Sequence, residues 1–186
     1  MENQTATTTI PAAILLLGPT GSGKTPLGQL LEERGLWGRT CLHFDFGANL
    51  REIVACNKPD GAVAADDIVL LRRMVQEGLL LEDEHFPVAV RILWRFMARH
   101  SPAPTTWIVL NGLPRHLGQA QTMERVVKVC TVIYWDCSAQ VVAERIVRNA
   151  GGDRDRRDDD APEAVRRKLA IFTERTPPLL HYYCSR

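Results

Sequence analysis

The sequence lacks any hydrophobic run long enough to cross a bilayer or to form the core of a signal peptide. A polar stretch at residues 1–11 precedes an apolar run of only residues 12–17. It also lacks a charge excess, because 23 basic residues are matched by 22 acidic ones. No overall field therefore favours nucleic acid or an anionic membrane. We expect a cytoplasmic monomer with neither of these partners and a disordered leader over residues 1–11.

The cysteines lack any C-x-x-C pair, and their number is odd. A disulfide framework and a zinc site are therefore both disfavoured. We expect reduced thiols that are buried as small hydrophobic side chains. The five are Cys41, Cys56, Cys130, Cys137 and Cys184.

One complete motif is present at residues 18–25, which read G-P-T-G-S-G-K-T and match the phosphate-binding pattern G-x-x-x-x-G-K-[ST]. Because it lies between an apolar run and a helical leucine pattern, backbone N–H groups and a helix N-terminus would face one anion. Lys24 would reach the outer phosphates of a nucleotide, and Thr25 would bind Mg²⁺. A glycine-rich turn without a ligand is the alternative. The predicted phosphate-site residues are Gly18, Gly21, Ser22, Gly23, Lys24 and Thr25.

Apolar runs that read as strands alternate with helical patterns along the 186 residues. This alternation predicts a single α/β domain of the P-loop nucleoside triphosphate hydrolase type, with a parallel sheet of about four to five strands flanked by helices. We expect a helical lobe at residues 45–80 and a short charged lid at residues 150–160. Helices are also predicted at residues 83–99 and 116–127, and the last one should end before Pro177. The predicted strands are residues 12–17, 40–44, 106–110 and 131–135.

Five arginines lie in stretches that begin or end at the C-terminal edge of the predicted sheet, where α/β proteins bind ligands. Phosphoryl transfer needs cations around the oxygens of the migrating group. Singly, each arginine would be a solvated surface side chain, whereas their shared edge predicts a phosphate site. They are Arg51, Arg115, Arg145, Arg157 and Arg167.

Four separated motifs resemble those of adenylate kinases and related nucleoside monophosphate kinases, over about residues 14–183. The first is the phosphate loop. The second, H-F-D-F-G-A-N-L-R at residues 43–51, is similar to H-x-S-T-G-D-x-L-R. The third, N-G-L-P-R with Gln119, is similar to D-G-F-P-R-x-x-x-Q-A. The fourth, at residues 157–169, is similar to the lid exit R-x-D-D-x-P-E-x-x-x-x-R-L.

The resemblance implies transfer of the γ-phosphate from Mg²⁺-bound ATP to AMP or another monophosphate. Arg51 and Arg115 would hold the monophosphate, Gln119 would read adenine, and Phe46 would lie near the acceptor base. Arg145 would stack on the donor base. The implied acceptor-site residues are Phe46, Gly47, Arg51, Arg115 and Gln119.

The transferring phosphoryl group would be covered by Arg157 together with Arg167 or Lys168, as the resemblance implies. The implied catalytic cations are Lys24, Arg115, Arg157 and Arg167. The implied metal residues are Thr25 and, through water, Asn111.

Several positions depart from the family pattern. Asn111 replaces a carboxylate that orients the metal's water shell, so we expect weaker Mg²⁺ binding. Phe46 and Ala48 replace a threonine and an aspartate, so the sequence does not decide which base the acceptor carries. Asn149 and Lys168 replace phosphate-contacting arginines, for which Arg148, Arg154 and Arg167 are near enough to substitute. The sequence also stops just after Tyr182–Tyr183, where the relatives continue into a fifth strand.

Two other functions stay open at the level of the sequence. The first is a P-loop kinase of a different small acceptor, suggested by Thr25 directly after Lys24 and by Phe46. The second is a nucleotide-binding protein with little turnover, suggested by Asn111, Asn149 and Lys168 and by the missing C-terminal strand. His43 and His116 are given structural or solvated roles, because this reaction class needs no histidine base.

Overall fold

The computed structural model describes residues 10–154 and 161–186. Its centre is a parallel sheet of four strands in the order β2-β3-β1-β4. This architecture confirms the predicted α/β fold and its parallel sheet. The strands are β1 (Ala12–Leu17), β2 (Cys41–Asp45), β3 (Trp107–Asn111) and β4 (Lys128–Tyr134).

Helices cover both faces of the sheet, and the sheet separates two clusters of buried apolar side chains. β1 and β3 are buried along almost their full length, because each has a neighbouring strand on both sides and helices above and below. None of the helices in the described ranges has the length and apolarity needed to cross a bilayer. The helices are α1 (Lys24–Arg34), α2 (Phe46–Cys56), α3 (Ala65–Glu77), α4 (Phe86–His100), α5 (Leu117–Met123), α6 (Ala139–Val147) and α7 (Pro162–Cys184).

The strand register brings three chain segments together at the C-terminal edge of the sheet. Asp45, the last residue of β2, pairs with Asn111, the last residue of β3. Asn111 also pairs with Leu16 of β1, directly before the phosphate loop. The chain order reverses around β1 and β3, and such a switch point is where open α/β sheets bind ligands.

Besides the last helix, three predicted elements differ from the structure by more than one residue, and β2 and β3 each lie one residue later than predicted. The helix predicted over residues 83–99 begins with a 3₁₀ turn, Asp83–His85, before α4. The helix predicted over residues 116–127 ends at Met123, because a turn buries Val126 and Val127 and leads directly into β4. β4 consequently starts three residues before the predicted position 131.

The last helix does not end at its two prolines, which corrects the sequence-based prediction. α7 continues through Pro177 and Pro178 to Cys184. Each proline lacks an N–H donor, which normally ends or bends a helix. Here Leu179, in the same turn, is completely buried, so packing against the core holds the chain helical beyond the prolines.

The prediction that the cysteines are buried is wrong for most of them. Cys41, on β2, is buried. Cys56 and Cys184 are exposed because they occupy the last turns of α2 and α7. Cys130 is exposed on the edge strand β4, and Cys137 is half-buried.

Candidate active site

The phosphate loop, residues 18–23, connects β1 directly to α1. Gly21 (φ 73°) and Gly23 (φ 105°) adopt the left-handed backbone region, which glycine enters without steric cost. The Lys24 Nζ donates hydrogen bonds to the carbonyl oxygens of Gly18 (2.8 Å) and Pro19 (2.6 Å). A positive charge and a helix N-terminus therefore converge on one small loop, as a bound phosphate requires.

Helix α6 packs directly against this loop. A Cβ on Gly21 would lie 2.7 Å from Ile146 Cγ1, so only glycine fits this position. The Arg145 Nε donates to the Gly21 carbonyl at 3.2 Å. Its guanidinium group thus lies on the outer side of the loop, beside the position predicted for a donor nucleotide.

A cluster of Thr25, Asp45 and Asn111 lies next to the loop. The Thr25 hydroxyl donates to Asp45 Oδ2 at 2.7 Å. The Asn111 amide nitrogen contacts the Thr25 hydroxyl oxygen at 3.0 Å and Asp45 Oδ2 at 3.1 Å. The other Asp45 oxygen accepts from Ala48 N and caps α2. Hydroxyl and carboxylate oxygens are the donors that Mg²⁺ prefers, so the residues present fit that ion.

His43 lies underneath this cluster, between α1 and β3. Its Nε2 is 3.3 Å from the Asn111 amide nitrogen, and its ring packs on the bare Cα of Gly28. Burial lowers the pKa of His43 below its ordinary value, although the carboxylates of Asp45 and Glu32 oppose this effect. A neutral imidazole can accept the Asn111 hydrogen bond, which gives His43 a structural role.

The phosphate loop and the cluster of Thr25, Asp45 and Asn111 line one open depression, which we call the central cleft. It runs from the phosphate loop along the ends of β2 and β3 to α7. In the described part of the chain its lining carries five basic residues against two acidic ones, a balance that favours an anionic ligand. The basic residues are Lys24, Arg51, Arg115, Arg154 and Lys168; the acidic ones are Asp45 and Asp153.

The far wall of the central cleft is apolar. It is formed by the end of α3, the segment after it, and one face of α7. A ligand with a charged and an uncharged part would therefore find a phosphate end and an apolar end in the same depression. The wall residues are Met74, Val75, Leu79, Leu80, Ile171 and Phe172.

The predicted acceptor residues lie in different surroundings. The Arg51 guanidinium extends back over Gly47, and both residues line the cleft. Arg115 also lines the cleft, and its Nε donates to the Gly112 carbonyl at 2.9 Å. Phe46 is instead buried in the core, with its ring centroid 6.2 Å from that of Phe44.

Gln119 is completely buried beside the cleft. Its side-chain oxygen accepts from Arg115 N at 2.8 Å, and its nitrogen donates to the Leu81 carbonyl at 2.6 Å. The side-chain amide therefore connects the segment that carries Arg115 to the chain that follows α3.

The predicted lid cations divide into three groups. Arg157 lies outside the described residues, as do lid positions 155–160. The Arg167 Nη1 donates to the Glu77 carbonyl at 2.6 Å, at the C-terminal end of α3, and Arg167 does not line the cleft. Lys168, on the next position of α7, does line it.

Three charged residues of the cleft, Asp45, Asp153 and Arg154, are not among the predicted site residues. The sequence marks Asp45 only as the start of the helical lobe, although it occupies the serine position of the second motif. Arg154 lines the cleft, and its Nη2 donates to the Thr20 hydroxyl at 3.3 Å. The sequence marks Arg154 only as one of three arginines near enough to substitute for those that Asn149 and Lys168 replace.

The parallel sheet, the phosphate loop at its C-terminal edge and the basic cleft together define an α/β protein of the P-loop nucleotide-binding class. No protein-family model matches the chain. It is 28% identical to an adenylate kinase of Xanthomonas campestris pv. campestris (strain B100) over 179 residues, 93% of this chain and 86% of that relative. It is also 28% identical to an adenylate kinase of Thermus thermophilus over 180 residues, 94% and 84% of the two chains.

Among solved structures, the chain is similar to a gluconokinase from Sinorhizobium meliloti 1021. That match covers 87% of this chain and 75% of the gluconokinase, with 18% identity and a TM-score of 0.46. The sequence relatives and the phosphate loop support a P-loop kinase, that is, a phosphotransferase with a nucleotide donor.

Proposed function

We propose that this protein is a nucleoside monophosphate kinase of the adenylate kinase type, which transfers the γ-phosphate of Mg²⁺-bound ATP to AMP or another monophosphate. One observation carries the proposal: the phosphate loop shares the central cleft with Arg51 and Arg115. Two separate anion sites in one cleft suit a donor and an acceptor that both carry phosphates. The sequence similarity to adenylate kinases supports the same conclusion.

The donor half consists of the loop, Lys24, Thr25 and Arg145. Loop N–H groups and Lys24 bind the triphosphate, and Arg145 stacks on the donor base. Bound Mg²⁺ would neutralise charge on the phosphates, with Thr25 as its protein ligand and Asn111 close to that hydroxyl. These groups act by position and charge, because phosphoryl transfer needs little covalent chemistry from the protein.

The acceptor half consists of Arg51, Gly47 and Arg115. Two guanidinium groups hold the monophosphate by charge-assisted hydrogen bonds and aim one of its oxygens at the donor. Gln119 and Phe46 are not part of this acceptor site, because the Gln119 amide bonds to the chain's own backbone and Phe46 is buried in the core. Arg157, with Arg167 or Lys168, covers the transferring group when the lid closes and excludes water.

A P-loop kinase of a different small acceptor is the second candidate. It is favoured by Gln119, since both ends of its side-chain amide already bond to the chain's own backbone. Burial of Phe46 in the core points the same way, because this ring does not line the cleft. An acceptor without an adenine base would need neither side chain.

The test is a panel of AMP, CMP, GMP and UMP, each with ATP and Mg²⁺, read out as diphosphate formed. We expect rapid turnover of one or more of them by the wild type. Lys24→Ala is the control. This variant should bind the outer phosphates of ATP poorly and lose turnover, while its circular dichroism spectrum stays unchanged. Retained activity in this variant would contradict the phosphate-loop assignment.

The same panel separates the alternatives. Tight ATP binding without turnover of any monophosphate would overturn the main proposal. ADP release that appears only with a non-nucleotide acceptor would instead support the second candidate. ATP binding with no turnover on any acceptor would indicate a nucleotide-binding protein.

A further inference from the structure

We propose that Asp45 supplies the carboxylate of the metal site, in place of the carboxylate that Asn111 lacks. The inference deepens the proposed function and rests on it only in requiring that the phosphate loop binds a Mg²⁺ nucleotide. Relative to the motifs that this chain resembles, Asp45 replaces a serine and Asn111 replaces an aspartate.

The sheet register places these two positions side by side at the ends of adjacent strands. Asp45 and Asn111 are paired across the parallel strands β2 and β3, each as the last residue of its strand. Paired residues of adjacent parallel strands project to the same face of the sheet. A carboxylate can therefore move from one strand to the next and still reach the same side of the phosphate loop.

The contacts of Asp45 match the requirements of a metal-orienting group. Its Oδ2 accepts from the Thr25 hydroxyl at 2.7 Å, and Thr25 is the ligand that the loop motif assigns to Mg²⁺. Both residues line the central cleft. A carboxylate in this position binds water molecules of a Mg²⁺ ion, which usually keeps several of them.

The Asn111 amide then has a role that a second carboxylate could not fill. Its nitrogen lies 3.1 Å from Asp45 Oδ2 and 3.3 Å from His43 Nε2. It donates to the Asp45 carboxylate and holds it in place, whereas an aspartate at 111 would put two negative charges next to each other. Asp45 and Asn111 therefore form a matched pair with one net negative charge.

Metal binding to the ATP complex tests this inference without relying on turnover. Mn²⁺ replaces Mg²⁺ as the probe, and its free fraction is measured by electron paramagnetic resonance in the presence of ATP. We expect Asp45→Asn to weaken Mn²⁺ binding about 10- to 100-fold, the usual effect of losing a group that orients a metal's ligands. ATP binding in EDTA, which involves no metal, should change far less.

Asp45 also caps α2 by accepting a hydrogen bond from Ala48 N. A substitution at this position can therefore weaken the helix cap as well as the metal site, and the two effects must be separated. Asp45→Ser keeps a side-chain acceptor at the N-cap and removes the charge. It should lose Mn²⁺ affinity to a similar degree. Asp66→Asn makes the same chemical change at an exposed position of α3 and should bind Mn²⁺ as the wild type does.

The exchange variant Asp45→Asn/Asn111→Asp is the sharpest test. It restores one carboxylate on the neighbouring strand and should recover most of the lost Mn²⁺ affinity. The proposal is overturned if Asp45→Asn and Asp45→Ser both bind Mn²⁺·ATP like the wild type. It is also overturned if they weaken ATP equally with and without metal.

These outcomes are independent of the proposed function. A wild-type protein that phosphorylates no monophosphate, but whose metal affinity still depends on Asp45, would remove the kinase proposal and keep this one. Normal monophosphate turnover together with unchanged Mn²⁺ affinity in the Asp45 variants would keep the kinase proposal and remove this one.

Discussion

At the residue scale, the two halves of the central cleft differ in how their cations are held. Lys24 bonds to the loop carbonyls, and Arg145 bonds to the loop from outside. Arg115 is fixed through its own backbone and Gly112, while Arg51 lies folded over Gly47. Of the proposed donor cations, Lys24 directly follows the loop and Arg145 lies on α6, whereas the proposed acceptor cations come from α2 and from the segment after β3.

Arg51→Ala tests this division. The variant should raise the KM for the monophosphate about 10- to 100-fold, because a hydrogen bond to a charged group contributes about 1.5–3 kcal/mol. The KM for ATP should change little if Arg51 acts in the acceptor half, as we propose. Steady-state kinetics with each substrate varied in turn measures both constants.

Arg34→Ala is the matched control for Arg51→Ala. Arg34 is exposed in the last turn of α1 and does not line the cleft, so neither KM should move. A selective defect in ATP binding by Arg51→Ala would place this arginine in the donor site instead.

At the element scale, helix α1 lies unusually close to strand β2. Gly28 faces the His43 ring, and a Cβ at this position would overlap the imidazole. The Glu32 carboxylate also accepts from His43 N at 2.9 Å, so one face of α1 is tied to β2 at two points. This close approach keeps Thr25, at the start of the same helix, beside Asp45.

Gly28→Ala should therefore destabilise the protein, although alanine favours helices over glycine by about 1 kcal/mol. Overpacking costs about 1–3 kcal/mol, and the ring is held from the other side by Asn111. Because the new Cβ would overlap the imidazole, we expect the upper part of this range and a net loss of about 1–2 kcal/mol in the free energy of unfolding. Urea denaturation followed by circular dichroism measures it.

The control is the same substitution in a His43→Ala background. Without the imidazole the new methyl group has space, so Gly28→Ala should become neutral or stabilising there. An equal cost in both backgrounds would mean that the ring is not the obstacle.

At the scale of the whole molecule, the folded state keeps an imidazole buried next to its functional cleft. Burial lowers the pKa of His43 from its ordinary 6.5. Between the lowered value and 6.5, the unfolded chain binds a proton that the native protein does not. The contribution of His43 to stability is thus present above this window and is lost as the pH falls through it.

His43→Gln should reduce this loss of stability at acidic pH. The glutamine side-chain oxygen can accept the Asn111 hydrogen bond in place of Nε2, but it does not titrate. Urea midpoints measured from pH 7.5 to pH 5 should therefore fall less steeply in the variant than in the wild type. His181→Gln, which removes an exposed imidazole, should keep the wild-type slope. Parallel slopes for His43→Gln and wild type would contradict the prediction.

The tertiary structure also decided positions that the local sequence predicted wrongly. Phe46 and Gln119 belong to motifs that predicted ligand contacts, yet both are buried. Phe46 packs in the core, and the Gln119 side chain donates to the Leu81 carbonyl. Pro177 and Pro178 predicted a helix end, and the burial of Leu179 outweighed their local effect. These differences come from contacts between distant parts of the chain, which no local pattern records.

The sequence by itself determined the fold class and the phosphate loop. Glycines at the turn, Lys24 and the leucines of α1 lie close together along the chain, and their effects on backbone shape and charge are local. Which carboxylate lies beside Thr25 was decided only by the tertiary structure. Asp45 and Asn111 are 66 residues apart and meet through the in-register pairing of β2 with β3.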